Sequence, residues 1–183
     1  MSAIATTTTL PAGTYNGDPI HSTFGFQVRH NGIQLFRGSF DDVAVTVTSD
    51  GESISIEGAA QVESLQVRLA DLKGHLLSDD FFAADKHPEI AFRSIAVRPA
   101  GEGIEVEGEL TIKGVTNHVV AKGTLSEPAT GLAGNTVVAL TLEAVVDRTQ
   151  YGLNWNAELP SGDPALANDV KIVVEAELVK SEA

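Results

Sequence analysis

The sequence predicts an all-β fold: a closed barrel of about eight antiparallel strands, with a short helical plug between two of them. Three observations carry this. Apolar and polar residues alternate through most of the 183-residue chain, the two-residue period of strands with one dry face. Asn–Gly, Asp–Gly and Gly/Pro clusters punctuate the alternation at hairpin spacing. One stretch, Asp71 to Phe92, breaks it. Eight amphipathic strands joined by short turns must hide their edges, and closure into one barrel does so while leaving an interior able to hold one elongated ligand. A two-sheet sandwich is the competing arrangement.

Residues 1–12 read as a disordered polar leader, and residues 13–183 as a single barrel domain. The leader lacks the basic start and apolar core of a secretory signal. Strand pattern begins at Tyr15. Ser22, Phe24, Phe26, Val28 and His30 then share one face, with His21, Thr23, Gln27 and Arg29 on the other. Asn31–Gly32 turns the chain. Gly38 to Thr48 follows as a strand with Phe40, Val43, Val45 and Val47 apolar, and Asp50–Gly51 marks a second hairpin. Ile54, Ile56, Ala60 and Val62 then alternate with Glu52, Ser55, Glu57, Gln61 and Glu63.

In the interrupting stretch, Leu69, Leu72 and Leu76 fall at helical spacing, Ser78 before Asp79 and Asp80 is placed to cap a second short turn, and Pro88 ends the segment. It gathers Leu72, Leu76, Leu77, Phe81 and Phe82, an apolar load that must cover something apolar. The reading is a plug or lid over the barrel mouth. Beyond it, Ile90 to Val97 is strand, turned by Pro99 and Gly101–Gly103. Ile104, Val106, Leu110 and Ile112 alternate with Glu105, Glu107, Glu109 and Lys113, and Val115 to Leu125 follows Gly114. Glu127 to Asn135 reads as loop. Val138 to Val146 and Val170 to Leu178 complete the set. Trp155, Tyr151 and most of the seven Phe gather near residues 24–40, 81–92 and 151–155, and the Pro160–Pro164 connection is placed to form part of a rim.

Charge and composition exclude several functions. A formal charge of −13, from 12 basic and 25 acidic residues, is the wrong sign for nucleic acid or anionic membrane surfaces. No apolar run reaches the length of a membrane span, so stable membrane insertion is not expected. The chain has no Cys, which removes thiol nucleophiles and thiolate metal sites. Its five His show no HExxH spacing, and no G-x-S-x-G elbow is present, so no catalytic or metal site is assigned. His21, His30 and His75 could converge, but hydrogen-bonded barrel residues are the simpler reading. Gly101-x-Gly103 precedes a strand, which rules out a phosphate cradle. Asp79–Asp80 reads as a cap. The chain as given points to a cytoplasmic protein, or to a periplasmic or secreted one if an export signal has been trimmed.

Four blocks resemble the YceI family of bacterial polyisoprenoid-binding, lipocalin-like proteins, over about Tyr15 to Val179. They are HSTFGFQVRH (His21–His30) with FRGSF (Phe36–Phe40), HLLSDDFFAADKHPEIAFRS (His75–Ser94), GELTIKGVTNHV (Gly108–Val119) and DRTQYGLN (Asp147–Asn154). Tyr151 stands where the family has Phe, and Leu72–Lys73 where it often has Arg–Asp. The resemblance implies a lipocalin-like barrel with a polyprenyl chain in an apolar tunnel, in proteins often exported and often dimeric. It favours a tunnel over an aromatic-filled core. The expected function is non-catalytic binding, transport or storage of an isoprenoid lipid of the polyprenyl or quinone type, with no cofactor and a homodimeric state. The alternatives are an enzyme acting on a lipophilic small molecule and a stress-related interaction module with a filled core. Candidate ligand-binding residues are Phe24, Phe26, Val28, His30, Phe40, Leu76, Phe81, Phe82, Phe92, Leu142, Tyr151 and Trp155.

Overall fold

The two-residue period of the sequence becomes one antiparallel sheet of twelve strands. In the computed structural model, which describes residues 7–182, the first six strands are β1 (Gly13–Gly17), β2 (Thr23–His30), β3 (Gln34–Phe40), β4 (Val43–Ser49), β5 (Ile54–Gln61) and β6 (Leu65–Gln66). Helix α1 (Ala70–Leu77) follows. Then come β7 (Glu89–Ala100), β8 (Gly103–Ile112), β9 (Val115–Leu125), β10 (Ala129–Thr130), β11 (Thr136–Asp147) and β12 (Leu166–Lys180).

The sheet closes on itself where β11 pairs β12, from Val137–Val179 to Asp147–Asp169. The ring runs β11-β9-β8-β7-β5-β4-β1-β12, eight strands returning to β11. Closure excludes the sandwich, and the long alternating rows of β11 and β12 explain it, since each offers a full edge to the other. One end of β12 pairs β1 and the rest of the same edge pairs β2, so the β2–β3 hairpin extends the wall at the end where α1 lies.

The sequence reading needs correction at several points. The stretch Gly38–Thr48 is two strands, because Asp41–Asp42 break the pairing; the apolar parity changes there, from Phe40 to Val43. Ser78, expected to cap a second short turn, does so and also closes α1: its Oγ donates to His75 O (2.7 Å) and accepts from Asp80 N–H (3.4 Å), and its carbonyl accepts from the N–H groups of Phe81 and Ala83. β12 begins at Leu166 rather than Val170. Residues 1–6 of the expected leader lie outside the described residues. Within residues 7–12, Leu10 is buried, the Thr7 N–H donates to Leu125 O, and Pro11 O accepts from the Tyr15 hydroxyl, while Thr9, Pro11 and Ala12 are exposed.

Two apolar clusters divide the interior. At one end Leu10, Tyr15, Val47, Ile104, Leu125 and Leu178 close the barrel. At the other, Phe40, Leu65, Leu76, Phe82, Tyr151 and Leu153 form a looser collar with α1. The outer wall carries ion pairs between neighbouring strands, among them Arg98–Glu107 (2.6 Å) and Lys171–Glu143 (2.6 Å). A charged outer face of this kind meets water, unlike the apolar band of a membrane barrel. No helix of the described residues is long and apolar enough to cross a membrane.

Candidate functional site: an apolar lumen with a polar rim

Between the two clusters lies a cavity of about 600 Å³, within the usual range for ligand pockets. Its wall follows strand parity. Phe24, Phe26, Val28 and His30 enter from β2, Phe36 and Phe40 from β3, Phe92 from β7, Leu140, Leu142 and Val146 from β11, and Ile172 and Val174 from β12. Leu72, Leu76, Phe81 and Phe82 cap it from α1 and the turns behind, and Trp155 and Leu153 belong to the β11–β12 connection. The expected plug is therefore a wall of the cavity.

Glycines keep the lumen open. Phe26 pairs across the strands with Gly38, and a Cβ on Gly38 would lie 2.5 Å from the Phe26 ring. Gly108 meets the Phe92 ring in the same manner. Each ring occupies the space that a side chain at the glycine would take. Further up, Phe82 packs edge-on to Phe40 (centroids 5.9 Å), while His75, Phe81 and Trp155 form a second group at the mouth (4.8–5.3 Å).

Of the twelve predicted residues, eleven line the cavity. Tyr151 does not: it is buried in the collar, beneath a turn that Asn117 fastens by donating to Gln150 O (3.1 Å). Its phase explains the difference, since it is the last residue of a 3-10 turn (Arg148–Tyr151) that ends the β11 alternation. The three His do not converge. His30 and His75 border the cavity, whereas His21 contacts Asp18 (3.2 Å) at the β1–β2 connection. Asp79 and Asp80 do not act as a pair: Asp79 binds Lys86 (2.7 Å), which holds its carboxyl below the ordinary range, and Asp80 contacts His75 (3.1 Å).

The sequence reading passed over Arg148. It is only 6 % exposed, and among the lining residues it is the one with a permanent charge. Its Nε donates to Ala167 O (2.9 Å), and its Nη1 donates to Leu153 O and to Trp155 O (2.9 Å), so it braces the rim connection. Burial pushes its pKa down, and Asp147 partly offsets this. Asp147 itself caps the 3-10 turn, accepting from the Thr149 hydroxyl (2.6 Å) and N–H (2.9 Å), and these hydrogen bonds hold its carboxyl below the usual range. A signal for Arg148 was present: inward positions Val138, Leu140, Leu142, Ala144 and Val146 continue in phase to 148.

A closed β-barrel with a charged outer wall, a roomy apolar lumen, a capped mouth and little polar lining defines a fold of the lipocalin-like class. Residues 15–178 match the family model described as a YceI-like domain, and the chain belongs to the YceI family. A UPF0312 protein of Staphylococcus aureus (strain USA300) is 32 % identical over 172 residues, covering 90 % of this chain and 96 % of the relative. Among solved structures, Burkholderia cenocepacia BcnA superposes with a TM-score of 0.75 at 19 % identity, covering 88 % of this chain and 98 % of its own. A Saccharophagus degradans domain described as polyisoprenoid binding, and implicated in plant cell wall breakdown, gives a TM-score of 0.68 at 11 % identity, over 93 % of this chain and 100 % of its own. These two likenesses establish the shared fold.

Proposed function

We propose that this protein binds an isoprenoid lipid in the lumen and carries or stores it without chemical change. The carrying observation is the cavity itself: about 600 Å³ walled by Phe, Leu, Val and Ile from most strands of the ring, with polar side chains only at the rim. Each five-carbon prenyl unit taken from water supplies roughly 4 kcal/mol gross, so a few units offset the cost of ordering the chain. The polyisoprenoid-binding description of the Saccharophagus relative supports this choice of ligand class. Catalysis has less support, because among the described residues no nucleophile with an adjacent base lines the lumen.

Mass spectrometry of an organic extract of the purified protein tests the reading. A prenyl lipid at near-stoichiometric yield is expected; turnover of an added prenyl lipid would favour the enzyme reading, and a protein that neither carries nor takes up such lipids would contradict the proposal.

The same reading includes a homodimer. Exposed Ile95, Val120 and Val145 supply a less charged face on the outer wall. The β9–β11 register, continued two residues past Glu143–Lys122, sets Val145 opposite Val120. Light scattering at tens of micromolar is expected to give the dimer mass, and a monomer would count against it.

A further inference from the structure

Arg148 has more hydrogen-bonding capacity than its surroundings use. Three of its five N–H donors go to backbone carbonyls of the rim, through Nε to Ala167 O and through Nη1 to Leu153 O and Trp155 O. Among the described residues Nη2 has no partner, and Arg148 makes no ion pair. Its neighbour Asp147 gives Oδ1 to Thr149 and acts on Arg148 through its charge, without a hydrogen bond. A guanidinium held at 6 % exposure against an apolar cavity, without a bonded counter-charge, is an expensive arrangement. Because the other two nitrogens are turned to the loop backbone, Nη2 is the one left for an occupant of the lumen. Gln34, His30 and His75 border the same cavity, and all three come from the mouth end, at the β2–β3 hairpin and α1.

We propose that Arg148 Nη2 seats a lipid-borne oxyanion, a phosphate or carboxylate, so that the ligand is an anionic amphiphile whose head group stops at the rim while its tail runs into the barrel. This rests on the lumen being a lipid site and adds the chemistry of its polar end. An anionic oxygen supplies both what Nη2 lacks, an acceptor and a counter-charge, whereas a neutral alcohol supplies only the first. Charge-assisted hydrogen bonds in a site sheltered from water predict a preference of about 10- to 100-fold for the anion.

The test uses the full chain stripped of lipid and two probes with one tail, geranylgeranyl monophosphate and geranylgeraniol, titrated calorimetrically near neutral pH. On the wild-type protein the phosphate is expected to bind about 10- to 100-fold more tightly. Arg148→Gln, which retains an amide donor for the rim carbonyls, is expected to bring the ratio near one while geranylgeraniol still binds. Arg148→Lys is expected to keep most of the preference. Equal affinities on the wild type would overturn the head-group assignment and leave the tail site standing, as would an undiminished ratio in a folded Arg148→Gln. If Arg148→Gln fails to fold, the wild-type ratio decides. Inorganic phosphate that saturates the protein as tightly as the lipid phosphate would make this a free-anion site and overturn the lipid assignment. Failure of both lipids to bind would overturn the lipid-carrier reading, and the head-group proposal with it.

Discussion

At the scale of single residues, the lumen depends on where side chains are missing as much as on where they are present. The Phe26 ring takes the space that a Cβ on Gly38, opposite it, would fill. Gly38→Val should drive the ring inward. The expected result is a folded barrel, destabilised by roughly 1–3 kcal/mol from overpacking, with at least tenfold weaker binding of a C20 prenyl probe by titration; unchanged affinity would show that the ring does not border the ligand. Asp147 gives a pH dependence. Its carboxyl is held low by the Thr149 hydrogen bonds, so its contribution to the rim turn is complete above the unfolded-state pKa and is lost as pH falls through the lower folded value. The loosening is therefore expected only below about pH 4. Amide exchange at Thr149, followed by NMR, should accelerate in that window, and Asp147→Asn should remove the pH dependence there.

Among the elements, α1 is the least self-sufficient. Its 8 residues are too few to persist alone, its N-cap position Leu69 offers no side-chain acceptor, and Gly74 sits in its interior. What holds it is packing, with Leu76 buried against the collar and the Phe82 N–H donating to Leu76 O. A weak helix across the mouth of a closed barrel is the element suited to open for an entering lipid. Gly74 has open space around an added Cβ, so Gly74→Ala should stabilise the protein by about 0.5–1 kcal/mol. In stopped-flow uptake of a fluorescent prenyl probe, the same variant should load more slowly; faster or equal loading would show that entry does not pass through α1. The elements were legible wherever parity was kept, as in Val138 to Val146. They were misread where it was broken: Asp41–Asp42 splits what read as one strand, and the 3-10 turn after Asp147 carries Tyr151 out of phase and into the collar. Leu10 was invisible because burial of an isolated apolar residue in a polar stretch is decided by the barrel end it meets and not by any local period.

For the whole molecule, closure is the property that matters, because it turns alternating sequence into an inside and an outside. The inside is walled by apolar side chains, while the outer wall carries ion pairs between strands in a chain whose formal charge is −13. The barrel could be anticipated from alternation and turn chemistry, whereas an open lumen was favoured over an aromatic-filled core only by the family resemblance. The charged end of the lumen was legible only in part: the inward phase of β11 runs on to Arg148, but no local pattern shows that a charged side chain there is buried at the rim. The central claim, that the lumen is a tunnel of fixed length for a prenyl tail, is tested most directly by titrating the lipid-free protein with prenyl phosphates that grow by one five-carbon unit. Affinity should rise steeply with each early unit, by a net fraction of the roughly 4 kcal/mol gross gain, and then level off once the tail fills the cavity. Affinity independent of tail length from the shortest member onward would contradict the account.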